Sequence, residues 1–473
     1  MSGQQPQIWW IRRDLRLADN RALIAAVAAG PVTPLFIRDA SVDALGAAAK
    51  WRLGAGLAKL EQALGEAGSR LILRTGQAGA VLQDIIAETG AAGVHWQRLY
   101  DPEARARDAA IKADLKAAGI AAQSHAGHLL TEPWEVSTGT GGTYKVFTPF
   151  WKTIRGRDPG VALPAPGQMP GPEDWPQSES LEDWGFGDGL QRGLDIVGRH
   201  HAPGEAAARE RLAGFLNEGV AEYPDKRDAV AEDGTSGLSD YLSLGEISPR
   251  QIWQAAARAR AEGMGGAEAF LRQIAWRDFA HHLMFHDPHL LNDNWRAGWE
   301  GFPWIIDRDH PHYIAWQQGR TGIALVDAAM RELYVTGRMH NRARMVAASY
   351  LTKHLMIHWK LGLDWFADCL TDWDPASNAM GWQWVAGTGP DATPYFRVFN
   401  PDTQAEKFDP TGAYCTRWLA EGQQNPTDTA LSFYEVIPRR WGLSPKDARP
   451  DPVVSLPDGR KHALAAYAAL KSG

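Results

Sequence analysis

Six prolines, at positions 159, 164, 166, 170, 172 and 176, fall in one short stretch of this 473-residue chain. Each fixes φ and removes a backbone donor, so neither a helix interior nor a central strand tolerates such a run. Residues 158 to about 204 therefore read as an extended connector, and the chain on its two sides has different grammar. Before it, the short apolar runs "IWWI" (8–11), "VTPLFI" (32–37), "RLILR" (70–74) and "GVHWQ" (93–97) alternate with alanine-rich helical spacers such as "LGAAAKWRLGAGLAKLEQALGEAG". That alternation predicts right-handed βαβ units and a mostly parallel, Rossmann-like sheet. "TGQAGAV" (75–81) does not spell the GxGxxG fingerprint, so NAD is not expected. After the connector the pattern is helical nearly to the end. In "GIALVDAAMRELYVTG" (322–337) Leu325, Val326, Ala329, Met330 and Leu333 form one apolar stripe, and Gly337 is a fitting C-cap. The length exceeds what one core usually serves. The expected architecture is an α/β domain over residues 1–130, a connector over 131–204 and an all-helical domain over 205–473.

Charge and composition exclude several function classes. Lys and Arg number 49 against 56 Asp and Glu, a formal net charge of −7, so a nucleic-acid partner would need a local basic patch. Two cysteines and a start without a charged, apolar leader point to a reduced, cytoplasmic protein, and no apolar run is long enough to span a membrane. The 21 tryptophans imply either an aromatic-rich core or indoles that do chemistry, since each buried indole N–H needs a partner.

Four segments carry chemistry. In "DWDPASNAMGWQW" (372–384), Asp374-Pro375 starts a helix, and Asn378 and Trp382, four apart, share a face that Asp372 and Asp374 precede. Alone, the segment reads first as a capped helix with Trp382 in a core. "DGTSGLSDYLSLGEIS" (233–248) offers backbone N–H groups and hydroxyls at a helix start, suited to a phosphate or to simple capping. "FLRQIAWRDFAHHLMFHDPH" (270–289) spaces His282 and His286 like metal ligands, but spells no HExxH; packed histidines are the better reading, and no metal is assigned. Between Glu332 and Asp364 no acid interrupts Arg338, Arg342, Arg344, Lys353 and Lys360, which gives the local basic patch for phosphates, or a solvated helix face.

Together "TSGLS", "WRDF", "MHNRARM", "DWDPASNAMGWQW" and "YFRVFNPDTQAEKFDP", with "WWIRRDLRLADNRAL" at the start, resemble the photolyase and cryptochrome flavoprotein family over essentially the whole chain. "TYKVFTPFW" (143–151) and "DPASNA" look most like class III cyclobutane-dimer photolyases. The resemblance implies an α/β antenna domain joined by a connector to a helical FAD domain. It implies that Tyr223, Thr235, Ser236, Gly237, Leu238 and Ser239 hold the FAD phosphates and adenosine side, and that Arg277, Asn341, Arg344, Asp372, Asp374 and Asn378 surround the flavin. Trp276, Met345 and Trp384 match the pocket for the pyrimidine dimer, with Gln273 standing where a Glu usually contacts it. Arg227, Arg342, Arg397 and Gln404 match contacts near lesion or DNA, and Trp382, Trp359 and Trp304 match an electron relay. Arg338 takes the place of the usual Trp in "TGWMHNR" and is expected to add a phosphate contact. For the antenna chromophore the resemblance implies methenyltetrahydrofolate, with Asp101 and Glu103 of "RLYDPEARARD" (98–108) as candidates and a deazaflavin as the alternative.

The implied activity is light-driven repair of cyclobutane pyrimidine dimers in DNA by a monomer. A dimer pairs and stacks poorly, which lowers the cost of flipping it out, and Trp276 and Trp384 offer flat surfaces to receive it. Asn378 has no acid proton to lend to a flavin, which suits the anionic reduced form that repair needs. Two cysteines cannot ligate a four-iron cluster. The competing expectations are a blue-light receptor without repair activity, (6-4) photoproduct repair suggested by Gln273, and a metal- or nucleotide-dependent enzyme built on the sheet and the "HHLMFHDPH" cluster.

Overall fold

The computed structural model describes residues 4–190, 193–391 and 396–472. Five parallel strands, β1 (Gln7–Ile11), β2 (Val32–Arg38), β3 (Ile72–Thr75), β4 (Gly93–Gln97) and β5 (Ala121–His125), lie in the order β3-β2-β1-β4-β5. Helices α1 (Arg21–Ala29), α2 (Ala47–Glu66), α3 (Ala78–Thr89) and α4 (Pro102–Ala117) cross over between them. With helices on both faces every β1 residue is buried, so its run is continuously apolar rather than alternating. Trp9 and Ile11 join the core beneath Leu23 and Leu57, while Ile8 and Trp10 face Ile85 and Leu115. The first four strands are those the sequence predicts. β5 is an addition: "AAQSH" is an edge strand in which Ala122 alone is fully buried, so it carries almost no apolar signal.

The connector is less bare than its prolines suggest. It contains α5 (Phe147–Ile154), whose Phe147, Phe150, Trp151 and Ile154 are buried in the helical half's core, and a helical turn at Leu194–Gly198. Its proline-rich part lies extended along the sheet. The Val32 N–H donates to Pro170 O (2.7 Å), the Glu179 N–H donates to Leu73 O (2.9 Å), and Met169, Trp184 and Phe186 fill the α/β core.

The helical half is organised around α6 (Ala267–His286), α7 (Ala324–Thr336), α8 (Asn341–Ser349), α9 (Trp359–Cys369) and α10 (Pro375–Ala386). The predicted stripe of α7 is buried, and Gly337 ends the helix at φ +71°, a conformation that favours glycine. α10 starts where Asp374-Pro375 predicts, with the Asp374 carboxylate accepting the Ser377 N–H (2.8 Å). Buried ion pairs lock the halves together: Arg52 meets Glu246, and Arg250 meets Asp19 at 2.6 Å. Among the described residues no helix is long and apolar enough to cross a membrane.

Candidate functional site

Within the helical half a cavity of about 320 Å³ opens between α6, α8 and α10. Two non-helical segments wall it, and each divides its residues between this cavity and its other side. In residues 371–375, Asp372 and Asp374 face this cavity while Thr371, Trp373 and Pro375 face a second one. In residues 235–239, Ser236, Leu238 and Ser239 face it, while Thr235 turns to a separate, acid-lined cleft and Gly237 lines neither. Tyr223, Gln273, Arg277, Asn341, Arg344, Met345, Asn378 and Trp382 complete the cavity's expected lining.

Its charges are paired through the protein. Arg344 donates to Asp372 Oδ2 (2.7 Å), leaving Asp372 Oδ1 buried without a protein partner. Asp374 accepts from His281 Nε2 (3.1 Å), with Arg13 of the sheet domain 3.8 Å away. Burial alone would raise the Asp374 carboxyl, but His281, Arg13 and Arg277 hold it well below the usual carboxylate range. Burial lowers His281, and lowers His128 further with the help of Arg277, so both imidazoles are neutral. His128, His281 and Asp374 are close enough to share a cation, yet Arg277 donates to His128 Nε2 (2.9 Å) and fills that position with its own charge. His282 and His286, spaced like metal ligands, are engaged otherwise: His282 Nε2 accepts the Tyr144 N–H (3.3 Å), and His286 Nε2 contacts Pro133 O (3.1 Å).

Trp276 and Trp384 are half-buried and lie outside the cavity's lining. Phe147 of α5 stacks flat on Trp276, with centroids 3.7 Å apart and planes at 10°. The Trp384 Nε1–H donates to Asp391 O (3.2 Å). Trp382 has Phe366 and Trp316 beside it, at 4.9 and 6.1 Å between centroids. The buried Trp359 donates to Asn294 Oδ1 (2.8 Å), and Trp304 donates to Thr352 O (2.9 Å) beside His358.

The basic patch requires correction. Arg338 is committed within the protein: its guanidinium pairs with the buried Asp240, which also takes His201 and Thr371, because burying that carboxylate demands a counter-charge. Arg342 pairs with Asp228 (3.0 Å), and Lys353 is buried with its Nζ on Arg397 O (2.7 Å). Only Lys360 of the five remains well exposed and loosely paired, 4.0 Å from Asp293. Elsewhere Arg227 lies against Tyr223, Arg397 is exposed, and Gln404 buries an unpartnered Oε1.

The second cavity, of about 830 Å³, lies at the carboxyl ends of the strands, where open α/β sheets bind ligands. Trp10, Arg12, Arg38, Arg107, Asp101 and Glu103 line it, and Trp373 joins them from the far wall. Asp101 also caps α4 through the Ala104 N–H (2.8 Å), whereas Glu103 is exposed.

Residues 7–167 match the DNA photolyase family, and residues 270–469 match the FAD binding domain of DNA photolyase. A deoxyribodipyrimidine photo-lyase of Agrobacterium fabrum is 42% identical over 98% of each chain. The chain belongs to the photolyase and cryptochrome family. A bacterial class III photolyase from Agrobacterium tumefaciens superposes with a TM-score of 0.91 at 41% identity, covering 100% of this chain and 99% of its own. Cryptochrome-1 of Arabidopsis thaliana is 36% identical over 96% of this chain and 69% of its own.

For a photolyase-family chain the helical half is the FAD-binding domain, and the cavity fits that cofactor. The orphaned Asp372 Oδ1 is a ready acceptor for a flavin N–H, and a Cβ on Gly381 would enter open cavity space. Sequence reasoning missed the layer behind Asp374. Arg13 sits in "IRRDL", 361 positions away, and carries no local signal; His281 was visible in "AHH" but indistinguishable from a packing histidine.

Proposed function

We propose that this chain is a deoxyribodipyrimidine photo-lyase that repairs cyclobutane pyrimidine dimers in DNA under light. The carrying observation is the convergence in one cavity of two carboxylates, two guanidiniums and the Asn378 carboxamide, with Gln273 and Met345 on its lining. FAD bound there in its reduced form supplies, on excitation, the electron that opens the dimer's cyclobutane ring and takes it back afterwards. The protein orients and insulates. Asp372 and Asp374 accept at the cofactor's polar edge, and Arg277 and Arg344 balance their charge. Ser236 and Ser239 offer hydroxyls to its phosphates, with Thr235 and Gly237 shaping that segment from behind. Asn378 presents an amide that has no acid proton to give. Trp276 and Trp384 stand outside the cavity as flat surfaces for the dimer, Gln273 and Met345 meet it from the lining, and Arg227, Arg342, Arg397 and Gln404 contact the DNA. Trp382, Trp359 and Trp304 relay electrons inward.

The second cavity takes the antenna chromophore in this reading. Its arginines suit the carboxylates of methenyltetrahydrofolate, its indoles suit a pterin ring, and Glu103, with Asp101 behind it, binds from the rim. The functional units are residues 1–130, 131–204 and 205–473, acting as a cytoplasmic monomer. The test is illumination of reduced protein with DNA carrying cyclobutane dimers and, separately, (6-4) products. Light-dependent loss of the dimers alone is expected. Loss of neither defeats the repair reading in favour of a receptor, and loss of (6-4) products alone reassigns the substrate through Gln273.

A further inference from the structure

The connector helix α5 touches Trp276 directly, and Asp391 stands between it and Trp384. Phe147 is its first residue, and its ring lies parallel on Trp276 at 3.7 Å between centroids, only 1% exposed. One indole face is thereby covered and held, and the ring cannot rotate without unstacking. The backbone of the same residue reaches the second tryptophan. Val146, at the N-cap of α5, has no side-chain oxygen, so the helix lacks a cap of its own. The Asp391 carboxylate faces the Phe147 backbone N–H at this uncapped helix start. Asp391 sits at φ +51°, a conformation that most residues avoid, and in that pose its carbonyl oxygen accepts the Trp384 Nε1–H (3.2 Å). One residue therefore presses on Trp276 with its ring and, through Asp391, fixes the hydrogen bond that orients Trp384. The connector end of this bridge is itself tied down. The Tyr144 N–H donates to His282 Nε2, and the Tyr144 and Thr153 hydroxyls are 2.7 Å apart.

We infer that Phe147 and Asp391 are positioning residues that set the separation and tilt of Trp276 and Trp384, so that the connector determines how well this protein tells a dimer from undamaged DNA. The inference rests on the lesion-binding reading above. It assigns work to the "TYKVFTPFW" segment, which neither the flavin cavity nor the sheet uses.

The test measures dark binding to a duplex carrying one cyclobutane dimer and to the same duplex undamaged, with FAD content recorded for every variant. Phe147→Ala and Asp391→Gly are each expected to weaken dimer binding about tenfold, the scale of one lost aromatic stack, while undamaged-DNA affinity and FAD content hold within about twofold. Glycine tolerates φ +51°, so Asp391→Gly removes the acceptor without straining the backbone. Asp391→Asn keeps both an acceptor and a tolerance for that φ, and should bind the dimer like the parent. Should Phe147→Ala fail to fold, the Gly and Asn variants at 391 decide alone. Unchanged dimer affinity in Asp391→Gly, or an equal loss on undamaged DNA, overturns the inference. A parent protein with no preference for the dimer instead overturns the repair reading, and this inference with it.

Discussion

Residues 371–375 have a cavity on each side, and the two cavities are built by opposite means. On the helical side the walls are side chains from segments far apart in sequence, held by contacts that span them: Arg344 paired with Asp372, Arg13 facing Asp374, and the neutral His281 donating to Asp374. On the sheet side the cavity is a by-product of topology, the gap left where strands end and helices begin, rimmed by the pairs Arg107–Asp39 and Arg38–Asp43. A pocket made of side chains demands particular residues, whereas one made by strand order tolerates many. The first is therefore the more exacting of the two, and the second places fewer demands on what occupies it.

The sharpest way to break that comparison is to remove one charge from the helical cavity. Asp372→Ala leaves the partly exposed Arg344 without its partner next to the cofactor site, and losing a charge-assisted hydrogen bond costs about 3 kcal/mol. FAD retention, read from the 450 nm band after gel filtration, should fall more than about 100-fold. Absorbance from the sheet-side chromophore should be unaffected, and loss of both signals together would show that the cavities are not independent.

A second test follows from how buried acids and buried histidines respond to pH. Glu332 of α7 supports the start of α8 by accepting the His340 N–H (3.3 Å) and the Tyr414 hydroxyl (2.5 Å). Burial pushes its carboxyl up to about 7. A raised folded pKa stabilises fully below the unfolded value near 4.3, and the contribution is lost as pH rises through about 7. Its surface is partly exposed, so about 2 kcal/mol is the expected loss between pH 5 and pH 8. Glu332→Gln should flatten that part of the stability–pH curve measured by urea unfolding. Burial lowers His125 of the sheet half, and His340, His354 and His358 of the helical half, to about 4, which acts in the opposite direction: stability falls as pH drops from about 6.5 towards that value.

These contrasts also explain what the sequence could disclose. Four strands, the α7 stripe and the Asp374 cap follow local patterns, and each was legible from periodicity or capping chemistry. The lining of the helical cavity was legible because its residues cluster in short motifs such as "TSGLS" and "DWDPASNA". Pairing was not. The acid-free run from 333 to 363 looked like a free basic face, but Arg338, Arg342 and Arg344 find Asp240, Asp228 and Asp372 in other segments. A charge's partner is a tertiary fact. The same holds for α5, hidden inside a segment whose prolines announced a connector.

Asn378 offers a test inside the helical cavity that leaves its pairing intact. Its Nδ2 donates to Asp374 O (3.0 Å), so one face is committed to the helix start and the rest is available to the cavity. Asn378→Asp should retain FAD but shift illuminated samples toward a stable neutral flavin radical with red absorption. An unchanged spectrum would remove the amide from the repair argument.

The smallest expected effect is on the sheet side, and it needs two variants to be read correctly. Asp101 and Glu103 both line that cavity, but Asp101 also caps α4, so its loss would weaken the helix whether or not a chromophore binds. Asp101→Ala should cost about 1 kcal/mol of stability, while Asp101→Asn keeps a capping oxygen and should cost only a few tenths. Glu103 has no such duty and is exposed, so Glu103→Gln should leave stability within about 0.5 kcal/mol and weaken chromophore binding by a few fold to about tenfold. Near-ultraviolet absorbance titrated with methenyltetrahydrofolate measures this directly. If Asp101→Asn weakens the titration as much as Glu103→Gln at full stability, both acids face the ligand. If neither variant changes it, the strand ends hold the ligand without the rim acids, and the sheet-side cavity would be specific by shape alone.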